Sequence, residues 1–282
     1  MAVSSFVPEV WGAAVLTALD EALAYGSAGV TNRDYEGEVS EYGGSVTINT
    51  AADPAIETYV PYAAMTGGQA ATTSQVMNLD QRKAFSFDLD DVERAQSRDD
   101  GDLVGKLSAR AAHKLGATAD AYIAGLMAAA VTPGTEVTPA TPADAYDLLV
   151  DLRTELSEND VPTDGRWAVV TPAFYALLLK DSRFTATGDA QAGLTRSNGV
   201  VGQAAGFTVL ESNQAPAGPG EGAGRLIIAG HALATTYADQ VTKTEAVRLP
   251  DRFVDRVRGL HVYGAKVVRP EALAARDVIV GA

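Results

Sequence analysis

Three histidines, a dense run of carboxylates and two glycine-rich stretches are the residues of this chain that could carry chemistry. His113, His231 and His261 lie far apart with no ligand-like spacing, and the chain has no cysteine. A zinc site, a thiolate nucleophile and any disulfide are therefore not expected. The run Asp88-Leu89-Asp90-Asp91-Val92-Glu93 offers oxygens to a divalent cation but lacks the glycine and closing glutamate of a calcium loop. Acids near the positive end of a following helix account for it instead. Gly218-Pro219-Gly220-Glu221-Gly222-Ala223-Gly224 has the glycine density of a phosphate-binding loop. It precedes a strand instead of opening a helix, and no Gly-Lys-Ser/Thr occurs, so it reads as a flexible loop. Gly26-Ser27-Ala28-Gly29 lacks the spacing of a nucleophile elbow. His113 shares one side of a helix with Lys106, Arg110 and Lys114, a basic stripe for solvent or a neighbouring subunit. His231 follows a strand and reads as the start of a helix. No nucleophile, base and orienting group assemble locally, so no catalytic, cofactor-binding or metal residue and no cofactor is expected.

The elements that would position these groups follow from periodicity. Pro8 to Tyr25 reads as an amphipathic helix closed by Gly26, with Trp11, Val15, Ala18, Leu19 and Ala22 on one face. Tyr35 to Tyr42 and Ser45 to Thr50 alternate around Gly43-Gly44, a two-residue hairpin signal. Residues 51–73 are rich in Ala, Thr, Gly and Pro and bury little, as a projection leaning on something else would. Ser74 to Leu79 and Ala84 to Leu89 have strand character. Asp99 and Asp100 introduce a helix running to about Ala130, with Leu103, Leu107, Ala111, Leu115, Tyr122 and Leu126 along one side. About 30 residues give a rod of roughly 45 Å, longer than the usual globular helix.

After the Thr/Pro-rich linker Val131 to Ala143, Thr141-Pro142 opens a helix with Leu148, Leu149, Leu152 and Leu156 inside. Strand Arg166 to Thr171, helix Pro172 to Lys180, and strands Phe207 to Leu210 and Arg225 to Ala229 follow. Two glycine-rich loops, Thr185 to Gly206 and Asn213 to Gly224, interrupt them, and extended segments Gln240 to Leu249 and Leu260 to Val268 close the chain.

The net charge of −14 is uneven: residues 1–81 hold ten acids and one base, Arg33, whereas residues 243–282 sum to +3. A grip on nucleic acid phosphates needs a concentrated basic surface, so DNA enclosed by this protein would be held weakly and non-specifically. No apolar run reaches 18 residues and no basic–apolar leader opens the chain, which gives the expectation of cytoplasmic folding away from membranes.

Several stretches, in order, resemble the major capsid proteins of tailed bacteriophages with the Hong Kong 97-type fold. They are Val10-Trp11-Gly12-Ala13-Ala14-Val15-Leu16, Asn32-Arg33-Asp34-Tyr35-Glu36-Gly37-Glu38, and Val170-Thr171-Pro172-Ala173-Phe174-Tyr175-Ala176-Leu177-Leu178 with Asp181-Ser182-Arg183-Phe184. Gly206-Phe207-Thr208-Val209-Leu210-Glu211-Ser212-Asn213 and Gly259-Leu260-His261-Val262-Tyr263-Gly264-Ala265-Lys266-Val267-Val268-Arg269-Pro270 complete the set. The resemblance implies an α+β fold with an N-terminal arm (1–34), an extended loop (35–82), a peripheral domain with a long spine helix (83–131), an axial domain (132–240) and a return to the peripheral domain (241–282).

The resemblance further implies a virion capsid protein that forms hexamers and pentamers of an icosahedral shell around double-stranded DNA. Such a shell would assemble in the host cytoplasm with a separate scaffolding protein, a portal and a decoration protein. The glycine-rich loops would meet at its symmetry axes. Some relatives carry a cleaved scaffolding segment; with the N-terminal arm starting almost at Met1, none is expected here. Others weld subunits by Lys–Asn isopeptide bonds. None of the six lysines falls within residues 35–82, so that chemistry is not expected either. The rival readings are an encapsulin-type shell around a protein cargo and a cytosolic α/β enzyme.

Overall fold

The computed structural model describes residues 23–35, 44–51, 56–59, 61–62, 72–90, 103–181, 183, 202–220 and 224–280. In chain order the strands are β1 (Ser45–Ala51), β2 (Thr72–Asn78), β3 (Gln81–Asp90), β4 (Gly134–Val137), β5 (Arg166–Val170) and β6 (Gln203–Ala204). Then come β7 (Phe207–Glu211), β8 (Arg225–His231), β9 (Thr235–Arg248), β10 (Val254–Val267) and β11 (Leu273–Val278). The helices are α1 (Leu103–Ala130), α2 (Pro142–Glu158) and α3 (Pro172–Lys180).

The apolar run of β5, buried at every position, sits in a six-stranded mixed sheet of order β4-β11-β8-β5-β7-β6. β5 runs parallel to β7 and antiparallel to β8. Leu226 to Ala229 and Leu273 to Ala275 are likewise buried, as continuous apolar strands covered on both faces should be. Helix α2 starts where Thr141-Pro142 signals it: Thr141 Oγ1 accepts from Asp144 N at 3.4 Å, and Asp144 Oδ2 accepts from Thr141 N at 2.8 Å. This reciprocal cap satisfies donors that the first turn leaves open. Leu148, Leu149, Leu152 and Leu156 are buried as the spacing predicts. Arg166 ties the end of α2 to β5. Its guanidinium donates to the carbonyls of Arg153, Val161 and Pro162 and to Ser157 Oγ, which is how a cation 3% exposed avoids an unmet desolvation cost.

The second layer is a three-stranded antiparallel sheet, β3-β10-β9. β9 and β10 are 14 residues each, about 48 Å at 3.4 Å per residue, and β10 also packs against α1. β1 and β2 form a separate antiparallel pair, Ser45 opposite Asn78 and Ala51 opposite Thr72. Val46, Ile48 and Met77 bury against Leu79 and Ala238. Helices set beside largely antiparallel sheets make the fold α+β, as expected.

Four expectations need correction or limit. The partner of Ser45–Ala51 is β2 across the excursion, because Val46, Ile48 and Met77 share a buried face; Tyr35 apart, the other proposed hairpin strand lies outside the described residues. Asp88 and Asp90 are strand residues of β3, thirteen or more positions before α1, so they do not cap it; Asp99 and Asp100 lie outside the described residues. The first helix lies outside them too, apart from Leu23 to Tyr25, which form a bend and turn and not the helical end expected there. In α1 the buried stripe is Ala112, Leu115, Ala119, Ile123, Ala124 and Met127, while Leu107, Ala111, Tyr122 and Leu126 sit half-buried on its flank. Alanines and larger apolar side chains share the buried stripe, and Tyr122 on its flank meets Tyr263 of β10 edge-on.

Candidate assembly surface

Two buried aspartates hold the N-terminal segment onto the body. Asp120 of α1 accepts from Ala24 N at 2.7 Å and Gly26 N at 3.0 Å, closing the end of that segment against the helix. Burial pushes its carboxyl pKa up, and the backbone donors only partly offset that. Further along, Asn32 is bridged to Thr236, with Asn32 N on Thr235 O at 2.9 Å and Tyr237 N on Asn32 O at 3.0 Å. Beside it Asp239 receives Arg33 Nη2 at 2.9 Å and Tyr237 OH at 3.0 Å, and lies 3.2 Å from His261 Nε2. Burial alone would raise the Asp239 pKa; His261, Arg33 and Tyr237 outweigh it and leave the carboxyl below its ordinary value. The His261 ring lies against Tyr263 with centroids 4.8 Å apart, and Tyr122 meets Tyr263 edge-on.

A histidine beside an aspartate is the pairing of a base and its orienting acid. Here His261 is fully buried and its ring is covered by Tyr263, so no substrate reaches it and the cluster braces the fold. Among the described residues no three His, Asp or Glu side chains gather as metal ligands. His231 behaves as expected: its Nδ1 accepts from Leu233 N at 3.2 Å and caps a short helix, Ala232–Ala234. His113 is exposed on α1 with Lys106, Arg110 and Lys114.

The glycine-rich loop does something its composition did not reveal. Gly220 N donates to Asp277 Oδ2 at 3.0 Å, and Gly218 N pairs with Gly224 O at 2.9 Å. A β-carbon at Gly218 or Gly224 would collide with the Asp277 carboxylate, and one at Gly220 with Glu136. These glycines permit close packing on a buried acid, so the flexible-loop reading is replaced for the described part. The end of the other loop is a tight turn as well, with Ala205 and Gly206 at φ 50° and 85° between β6 and β7.

The surface has apolar groups that the chain itself leaves in solvent. Ile56 is 96% exposed and Tyr59 69%, with Tyr62 fully exposed, all on the excursion between β1 and β2; Phe253, in the β9–β10 turn, is 78% exposed. Burying side chains of this size is worth roughly 1.5–3 kcal/mol each, and such exposure marks sites of association. Val60 and Met65 lie outside the described residues. The charged segment 251–258 divides: residues 251–253 form the turn, and the remainder is β10. There Arg256 grips Asp88 of β3 through Nε at 2.6 Å and Nη2 at 2.7 Å, Arg258 pairs with Glu245, and Arg248 reaches Asp255 at 3.0 Å. These are cross-strand pairs within one chain.

Sequence reasoning found the exposed excursion and the basic stripe. It missed Asp239, His261 and Asp120. The available signal was Tyr237-x-Asp239 and His261-x-Tyr263, two i, i+2 pairs that antiparallel strands bring onto one face.

A family model described as phage capsid protein matches residues 72–275. No curated protein matches the chain. Among solved structures, one from Mycobacterium phage Che8 is 30% identical, with TM-score 0.71 over 88% of this chain and 89% of that one. The capsid of Cyanophage P-SCSP1u has TM-score 0.64 at 16% identity over 85% and 84%. The mature capsid of bacteriophage PhiM1 has 0.59 at 16% over 84% and 83%. At these lower identities the likeness establishes the fold, the Hong Kong 97-type fold that the sequence resembles. The chain belongs to the phage capsid protein family, as a structural major capsid protein of the virion and not an enzyme.

Proposed function

We propose that copies of this chain assemble as hexamers and pentamers into an icosahedral shell enclosing double-stranded DNA. The observation that carries this is the excursion between β1 and β2, whose Ile56, Tyr59 and Tyr62 stand in solvent and need a neighbouring subunit to cover them. In this reading residues 1–34 are the N-terminal arm and 35–82 the loop that clasps a neighbour. Residues 83–131 and 241–282 form the peripheral domain with α1 as its spine, and 132–240 form the axial domain whose loops meet at the symmetry axes. A separate scaffolding protein guides assembly in the host cytoplasm, a portal occupies one vertex and a decoration protein braces the shell. With a net charge of −14, the protein contacts packaged DNA weakly and without sequence preference.

The test is the content of nuclease-treated particles purified from infected cells. Protected double-stranded DNA of uniform length is the expected result. Particles that hold a protein cargo and no DNA would replace this reading with an enzyme-enclosing compartment.

A further inference from the structure

The ribbon of β9 and β10 carries a knob at its end and a hollow partway along one face. The knob is Phe253, in the turn between the two strands and 78% exposed, with the Arg248 guanidinium 6.0 Å from its ring centroid. The hollow, about 220 Å³, is lined by Ala84 of β3, by Gly259 and Leu260 of β10, and by the Arg258–Glu245 ion pair that joins β10 to β9.

Register explains the hollow. Leu260 stands opposite Ala84, and Arg258 opposite Ser86 and Glu245, so these side chains share one face of the three-stranded sheet. Ala84 and Ser86 are short and exposed, and they leave a gap beside the longer Leu260. The chain cannot fill that gap with its own knob. Phe253 precedes Leu260 by seven residues of extended backbone, about 24 Å at 3.4 Å per residue.

The surface between knob and hollow suits a second copy of the same chain. Arg256 pairs with Asp88 and Arg258 with Glu245 on this face, so these four charges are matched within the chain. Two copies at net charge −14 repel at long range, and a face of internally matched pairs is where they approach at least cost. An exposed aromatic entering a small apolar pocket with a charged rim is also the form that dominant contacts take at protein interfaces. We propose that Phe253 of one copy seats in the Ala84–Leu260 hollow of another. The proposal rests on the reading of the chain as a shell subunit and names one contact between subunits.

The chain has no cysteine, so introduced thiols report without background. Phe253→Cys and Ala84→Cys are made singly and together, shells are counted by electron microscopy, and the samples are treated with a short bismaleimide. A parent chain that gives no shells would fail the shell reading, and this contact with it, before any variant is compared. The expected result is covalent dimers and longer ladders from double-variant shells only, absent from dissociated subunits. Cross-links from Phe253→Cys alone would mean that the tips meet one another, and would overturn the proposal. Double-variant shells that give no cross-link would overturn it too. Should the substitutions prevent assembly, hydroxyl-radical oxidation of the parent chain decides. Several-fold protection of Phe253 and Leu260 together in particles, relative to dissociated subunits, is expected. Protection of Phe253 without Leu260 would place another surface over the knob, and equal oxidation of Phe253 in both forms would leave it in solvent; either overturns the proposal.

Discussion

Asp239 and Asp120 anchor the same N-terminal segment, yet their titrations oppose each other. Asp239 is held below its ordinary pKa by His261, Arg33 and Tyr237 against the effect of burial. A depressed carboxyl contributes stability that is present above the ordinary value of about 4 and lost as pH falls through the folded value. Asp239→Ala should cost about 3–5 kcal/mol near neutral pH, the penalty for stranding the partner of a buried pair. The cost should shrink as pH drops below about 4, read by urea unfolding of dissociated subunits. Asp120 has the opposite sign, because burial raises its pKa. Its ionisation works against the fold as pH rises, so the stability of Asp120→Asn relative to the parent should increase from about pH 4 to 7. A flat or falling difference would mean that Asp120 does not titrate as a desolvated acid. Asp120 did not announce itself in the sequence, because its donors Ala24 and Gly26 lie more than 90 residues away; Asp239 takes Arg33 from 206 residues away but Tyr237 and His261 from its own strand and the adjacent one.

At the scale of elements, helices and strands were legible wherever caps and periodicity agreed. Thr141-Pro142 and Thr171-Pro172 mark the helix starts that the fold uses, and the Pro172–Lys180 helix has the bounds expected of it. What failed was the inference from composition to mobility. Glycine looks the same in sequence whether it loosens a loop or admits a neighbour, and only the placement of Asp277 on β11 separates the two. Gly218→Ala or Gly224→Ala should therefore lower subunit stability by about 1–3 kcal/mol, as overpacking does, and Asp277→Ala in the same chain should recover part of the loss. A glycine variant that melts with the parent would return the loop to the flexible class. The buried face of α1 was misplaced because leucine spacing locates a stripe that the packed face follows only in part: Ala112, Ala119 and Ala124 are buried with Leu115, while Leu107 and Leu126 are half-buried.

For the whole molecule, the long β9–β10 ribbon and the excursion between β1 and β2 expose apolar side chains that a single copy cannot cover. No lysine lies between residues 35 and 82 and the chain has no cysteine, so the segment proposed to clasp a neighbour carries neither an isopeptide amine nor a thiol. Mature particles boiled in detergent should run as one band near 29.3 kDa. A ladder of covalent oligomers that survives boiling would contradict this.

Arg256 pairs with Asp88 inside the chain, so its charge reversal should be a modest perturbation of one strand pair. Ile56, Tyr59, Tyr62 and Phe253 are the most exposed large apolar side chains among the described residues, and the proposed assembly rests on them. The most direct measurement is electron cryomicroscopy of the chain expressed with the proposed scaffolding protein. Closed icosahedral shells of hexamers and pentamers, with the segment around Tyr62 lying on an adjacent subunit, are the result this account predicts. A species that stays monomeric across scaffold, salt and concentration, or shells in which that segment stays in solvent, would contradict it.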